Sequence, residues 1–291
     1  MTKPSLTEPS QIWPKFLTTT KFQWGGCPQI LIGGTLGKLV SWKYLLYNVS
    51  KPHKPFDKQS KQRCTRFAPH SQRRRQFKDK PPRYQTFFLH SFIAGMDTTS
   101  SIVEWAMALL LQKPEKMVKA QDELEEVLGN NKKVQESDIS KSHYLQAIVK
   151  ETFRLHPPAP FLVPRKAVTD VEICGFIVPK NAQLLINVWA MGRDLSIWPS
   201  PNLFMPERLL ENGIEFKGQD FELIPFGAGR RICPGLPLAN RMVHLMLASL
   251  VHNFAWKLPD EMKPEDLDLG EMFGLTLHKA EPLRAIPIIS L

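Results

Sequence analysis

The chain has 291 residues, 43% of them hydrophobic, enough for a sizeable core in one large domain or two ordinary ones. Its formal charge of +10 invites a nucleic-acid or membrane-surface partner, yet residues 1–87 hold 17 Lys+Arg against 3 Asp+Glu while the rest hold 21 against 25. The basic character therefore belongs to a leader; four widely spaced cysteines (Cys27, Cys64, Cys174, Cys233) exclude a dense disulfide framework, and no run of about 18 apolar residues offers a spanning helix.

In chain order, residues 1–16 carry Pro4, Pro9 and Pro14 among polar residues and provide no apolar centre for a signal peptide, so the chain reads at face value as soluble. Residues 1–87 show no sustained periodicity and form an unassigned basic unit, either a disordered arm or translated non-coding sequence joined to a real exon. The arginine-rich run 63–83 could touch nucleic acid, although such runs are usually solvated arms, and no nucleic-acid partner is assigned. Order is expected from Phe88. Phe88, Phe92, Ile93, Met96, Ile102, Val103, Ala106, Leu109 and Leu110 fall at helical spacing up to Pro114. Pro114 opens a polar helix ending at Gly129, and a third helix covers 140–155, halted by Pro157 and Pro158. Segments 170–178 and 183–189, separated by Pro179-Lys180-Asn181, read as one small antiparallel sheet. A long Pro-, Asn- and Gly-rich connection spans 198–229, an apolar helix spans 235–258, and 273–288 reads as a terminal hairpin. The fold class is mainly α with small β-sheets, and there is no internal repeat.

The strongest motif is Phe226-Gly-Ala-Gly229-Arg-Arg231-Ile-Cys233-Pro-Gly235, just ahead of that apolar helix. A single cysteine is ordinarily a buried core thiol. Here the surroundings suit a thiolate ligand of haem iron. Glycines allow the backbone to approach the ring, the helix start favours negative charge on sulfur, Phe226 could cover the sulfur side, and Arg231 could pair with a propionate. A second signal is Glu151-Thr-Phe-Arg154, with Pro206-Glu-Arg208 following. Alone, Glu151 and Arg154 would be a surface ion pair of little worth. The third is Ala94-Gly95-Met-Asp97-Thr98-Thr99 within an apolar helix, where Gly costs about 1 kcal/mol relative to Ala. That space could admit dioxygen; alternatively Asp97 is the N-cap of a helix starting later.

The gapless F-x-x-G-x-R-x-C-x-G pattern is similar to the haem-thiolate signature of the cytochrome P-450 superfamily. The resemblance covers about 88–288, the C-terminal part of that fold, and residues 88–291 are read as a partial haem domain. It implies haem b (iron protoporphyrin IX) with Cys233 as axial ligand, and the helix after Gly235 as the proximal helix. It also implies a core-locking triad of Glu151, Arg154 and Arg208, and Arg165 as a second propionate partner. Asp97 and Thr98 would be the acid–threonine pair that supplies protons during oxygen activation. The pocket would draw on Phe92, Ala94, Gly95, Ala159, Phe161 and Leu275. The stretches 222–239 and 151–160 resemble plant enzymes of the geraniol 8-hydroxylase type, which act on monoterpenols and related lipophiles.

The resemblance further implies hydroxylation with O₂, with electrons from NADPH through a cytochrome P-450 reductase meeting Arg230 or Arg241. It implies a monomer at the cytosolic face of the endoplasmic reticulum, although residues 1–87 contain no recognisable anchor. A rearrangement of hydroperoxides is the competing enzyme reading; the intact Asp97-Thr98 pair argues against it. The alternative of another class is a truncated, non-catalytic remnant. The family's front half is not recognisable in residues 1–87, so the chain is expected to bind haem poorly, apolar porphyrin surface being left in water.

Overall fold

Pro114 disfavours helical geometry at the residue before it, and the first helix, α1 (Arg83–Gln112), accordingly ends one residue short of Lys113. The computed structural model describes residues 83–129, 133–173, 175–259, 261–274 and 276–289. The leader as far as Pro82, Cys174 and the pocket candidate Leu275 lie outside the described residues. Helix α1 starts five residues ahead of Phe88 and runs unbroken through Asp97, so the reading of Asp97 as an N-cap is overturned. Its two halves differ. From Ser101 to Leu111 the helix is buried all round apart from Glu104, whereas Phe92, Ile93 and Met96 are exposed.

Helix α2 (Pro114–Leu128) opens on its proline and buries Met117, Ala120, Leu124 and Leu128 at helical spacing, leaving a charged outer face. Gly129, at φ 69°, stops it with its N–H on the Glu125 carbonyl at 2.7 Å. A short α3 (Glu136–Ile139) makes four helices before the first strand among the described residues, where three were expected from Phe88 on. In α4 (His143–Leu155) nearly every residue from Tyr144 is buried. The Glu123 carboxylate of α2 accepts the Tyr144 and Leu145 N–H groups at 2.7 and 2.9 Å, satisfying orphan donors at the α4 N-terminus. Helix α6 (Leu236–Asn253) buries Val243, His244, Leu247, Ala248 and Val251. Helices α1, α2, α4 and α6 pack against one another around a single core that includes Ile102, Leu110, Leu124, Ile148, Val149 and Leu247.

Among the described residues four two-stranded antiparallel sheets accompany these helices, and their pairing corrects the sequence reading. Segment 170–178 is itself a hairpin, β2 (Val171–Ile173) with β3 (Phe176–Val178), because Gly175 supplies the left-handed turn at φ 79°. Strand β4 (Gln183–Leu184) pairs instead with β1 (Arg165–Lys166), and Val188–Met191 is a short helix, α5. At the C-terminus, β6 (Glu271–Phe273) and β7 (Leu277–Lys279) form a tight hairpin, while β8 (Ile286–Ile289) pairs with β5 (Phe254–Lys257) after α6. Segment 198–229 is irregular apart from a 3-10 turn at Pro206–Leu209.

Candidate functional site

The cysteine loop is built by its glycines. Gly227 and Gly229 adopt φ values of 73° and 65°, which L side chains rarely tolerate. The tight turn lets the Cys233 N–H reach the Phe226 carbonyl at 2.9 Å, and a 3-10 turn over Gly229–Arg231 carries the chain between them. Helix α6 begins three residues after Cys233, and a Cβ added at Gly235 would stand 3.7 Å from the sulfur. The free Cys233 thiol thus sits beside the N-terminus of an 18-residue helix, at the positive end of its dipole. Phe226 does not stand free over the sulfur: its ring packs against Phe153 and Phe216 at 5.1 and 5.6 Å between centroids, anchoring the loop to α4.

Leu162 and Arg165 cross this loop, each with a side-chain atom 3.6 Å from where a Cβ of Gly227 would lie. Arg165, and the exposed Arg231, have no carboxylate partner among the described residues. A flat macrocycle on Cys233 needs open space, cations for its acidic edge and an apolar wall. Added Cβ atoms at Gly95 or Gly229 would meet nothing within 4 Å, Arg165 and Arg231 supply unpaired cations, and Phe92, Ile93 and Met96 present apolar surface. These residues fit a haem.

The structure brings Glu151, Arg154 and Arg208 into one buried cluster. Arg154 grips Glu151 in a bidentate pair, Nε to Oε2 at 2.8 Å and Nη2 to Oε1 at 2.7 Å, and Arg208 Nε reaches Oε1 at 3.1 Å. Both members of the first pair have no exposed side-chain surface. The remaining guanidinium donors go to the Gly192, Pro201 and Leu203 carbonyls from Arg154, and to Pro199, Ser200 and Leu203 from Arg208. The cluster therefore fixes the path of the irregular segment leading to the cysteine loop.

On α1, Thr98 donates to the Ala94 carbonyl at 2.7 Å, and adjacent helix positions point about 100° apart, so Asp97 looks elsewhere. Its Oδ2 accepts from the Thr276 hydroxyl at 2.6 Å, with His278 Nε2 2.5 Å from that hydroxyl and 3.4 Å from Oδ2. Ser101 and Glu104, farther along the same face, hold the Leu277 carbonyl and the Leu283 N–H at 2.8 Å each. Of the pocket candidates, Phe92, Ala94 and Gly95 are exposed on α1, Ala159 is half-buried, and Phe161 meets Phe273 edge-on at 5.9 Å.

Sequence reasoning placed 274–277 at the pocket but missed His278 and the bond from Thr276 to Asp97, and also a buried cluster around Glu271. His156 Nδ1 is 2.7 Å, and Arg193 Nη2 3.3 Å, from Glu271 Oε1, and Trp189 donates to Oε2 at 3.0 Å. His156 also stacks on Trp105 at 3.7 Å. Burial holds His156 below its ordinary value despite Glu271, so it is neutral; burial would raise Glu271, but His156 and Arg193 outweigh it and keep the carboxylate ionised. The dipeptide Leu155-His156 directly after Arg154 was the only local signal for this cluster.

Residues 65–283 match the family model described as Cytochrome P450. Among curated relatives, "Cytochrome P450 76C4" of Arabidopsis thaliana is 62% identical over 200 residues, 69% of this chain and 39% of the relative. A geraniol 8-hydroxylase of Catharanthus roseus is 57% identical over 199 residues, 68% of this chain and 40% of the relative. A solved zebra fish cytochrome P450 described with abiraterone superposes with a TM-score of 0.63 at 32% identity, covering 69% of this chain and 46% of that one. The chain spans about two fifths of the length of the curated relatives it matches. Loop, buried triad, helical core and family match converge on one statement: the chain belongs to the cytochrome P450 family.

Proposed function

We propose that this chain is the haem-binding part of a monooxygenase that inserts one oxygen atom of O₂ into a C–H bond of a small lipophilic substrate, a monoterpenol by likeness to the geraniol 8-hydroxylases. Haem, which the family carries, would be held by Cys233 and would supply the oxygen activation, its electronics tuned by that sulfur. The observation that carries the reading is the Cys233 loop, with its sulfur at the α6 N-terminus and unpaired Arg165 and Arg231 beside it. Cys233 holds the cofactor, Arg165 and Arg231 orient its acidic edge, and the exposed Phe92, Ala94 and Gly95 surface takes the substrate and excludes water. Asp97 and Thr98 supply the protons that the chemistry consumes.

Electrons would come from NADPH through a reductase docked at the cysteine side, at the endoplasmic reticulum membrane as in the family. No helix among the described residues is long and apolar enough to cross a membrane. Arg230, exposed and without a carboxylate partner among the described residues, is the contact favoured by the geometry, since Arg241 is already paired with Glu136 at 2.9 Å. The remnant reading lacks comparable support.

The test is the reduced, carbon-monoxide-bound absorption spectrum of the expressed chain titrated with haem, at protein concentrations high enough to offset an open crevice. A Soret band at the thiolate position is expected, lost in Cys233→His with haem still bound. The same band in Cys233→His, or none in the unaltered chain at saturating haem, would overturn the assignment.

A further inference from the structure

We infer that His278, acting through Thr276, is the proton supply of Asp97. The inference rests on the reading above that Asp97 provides protons, and it adds where they come from. Three observations carry it. Thr276 is buried and has a single hydroxyl proton, which it commits to Asp97 Oδ2 at 2.6 Å. Its oxygen can then only accept from His278 Nε2 at 2.5 Å, so that nitrogen must carry a proton. The chain Nε2–H to Oγ1–H to Oδ2 is therefore polarised in one direction, towards the carboxylate.

The third observation is where the two ends lie. Ala94, one turn before Asp97, is exposed on the face assigned to cofactor and substrate, which exclude water when bound. His278 flanks the buried Thr276 with its Nε2 3.4 Å from Asp97 Oδ2; its side chain is 31% exposed against 45% for Asp97, which the bound cofactor and substrate would cover, and its Nδ1 has no partner among the described residues. The hairpin register places His278 opposite the apolar Met272, with Glu271 and Lys279 paired on the other face. Asp97 is thus the charged group that meets His278. The seam from Ser101 to the Leu277 carbonyl, between Thr276 and His278, holds both side chains against α1.

The transfer balances without a redox step. Solvent protonates His278 at Nδ1; the Nε2 proton passes to Thr276 Oγ1 as the hydroxyl proton of Thr276 passes to Asp97 Oδ2. The result is a protonated Asp97 and a neutral imidazole, with one solvent proton consumed. His278 and Thr276 are positioning and relay residues, and neither need touch substrate.

Two measurements test this. In long-range 1H–15N correlation spectra of histidine-labelled chain near neutral pH, the resting His278 should be the Nε2–H tautomer, and Thr276→Val should abolish that preference. An Nδ1–H tautomer, or a tautomer indifferent to Thr276→Val, overturns the relay whatever the haem does. In the haem-loaded chain with reductase, product formed per NADPH should fall on the order of a hundredfold in both His278→Ala and His278→Gln, the lower end of general acid–base effects. Glutamine keeps an N–H donor near the Nε2 position but cannot take up a solvent proton and pass one on, so normal coupling in His278→Gln would reduce His278 to a structural hydrogen bond. An unaltered carbon-monoxide spectrum in both variants separates a failed relay from a failed haem assignment, and a chain without that spectrum fails the functional reading while the tautomer result still decides the relay.

Discussion

Arg154 makes five hydrogen bonds from one buried guanidinium, two to Glu151 and three to backbone carbonyls. Removing either member of a buried pair strands the other, so Arg154→Ala or Glu151→Ala should each cost about 3–5 kcal/mol in denaturant unfolding. Arg154→Lys should recover little, since an ammonium cannot span a carboxylate and three carbonyls in one plane. Gly192 adds a steric condition: a Cβ there would overlap the Arg154 carbonyl oxygen, so Gly192→Ala should destabilise by roughly 1–3 kcal/mol and weaken haem retention together. Burial alone would raise Glu207, the neighbour of Arg208. Its own backbone N–H, Lys116 at 3.0 Å and Tyr144 at 2.9 Å outweigh that and hold it at about 2, against an ordinary 4.5. A carboxylate lowered in the folded state adds stability that is present above pH 4.5 and lost as pH falls through about 2. The unfolding midpoints of the unaltered chain and Glu207→Gln should therefore differ most at neutral pH and converge across that window. Glu151, Arg154 and Arg208 were legible as residues because their spacing is a recognisable pattern. The carbonyls that complete the cluster belong to an irregular segment, where no periodicity marks a partner.

Helices were read well because apolar periodicity and punctuation agree: Pro114 opens α2, Gly129 closes it, and Met117, Ala120, Leu124 and Leu128 mark its inner face. Strands were read poorly because each is two to four residues long, too short for alternation to set a register. Gly175 was the overlooked clue, since a lone glycine inside a β-branched run marks a turn as readily as a strand. The C-terminal hairpin was misread for a different reason. Its position is set by the polar stripe Asp97, Ser101 and Glu104 on α1, about 180 residues earlier, which local sequence cannot reveal. Ser101 is buried, so Ser101→Ala leaves the Leu277 carbonyl without its donor and should cost about 1–3 kcal/mol by denaturant titration. That substitution should also broaden the His278 signals, because the seam is what holds the hairpin on α1.

At the scale of the molecule, one core formed by α1, α2, α4 and α6 supports a rim of four small sheets, and the candidate cofactor residues lie where that core opens: Cys233 at the start of α6, and Gly95 on the exposed half of α1. Family membership was legible because motifs from separate elements occur in the order the fold requires. The polar network behind Asp97 was not, because two of its three members come from a hairpin whose placement is a tertiary event. The stripe on α1 also has a consequence for how the polypeptide is made. Ribosomes extend chains at roughly 5–20 residues per second, so some 10–40 s separate the emergence of α1 from that of the residues that satisfy Asp97, Ser101 and Glu104. During that interval α2, α4 and α6 emerge and can cover the apolar surface of α1, but its acids stay unanswered. The hairpin that locks the first described helix is thus translated about 180 residues after it, and a nascent chain stalled before Thr276 should stay bound to chaperones longer than one that has passed it.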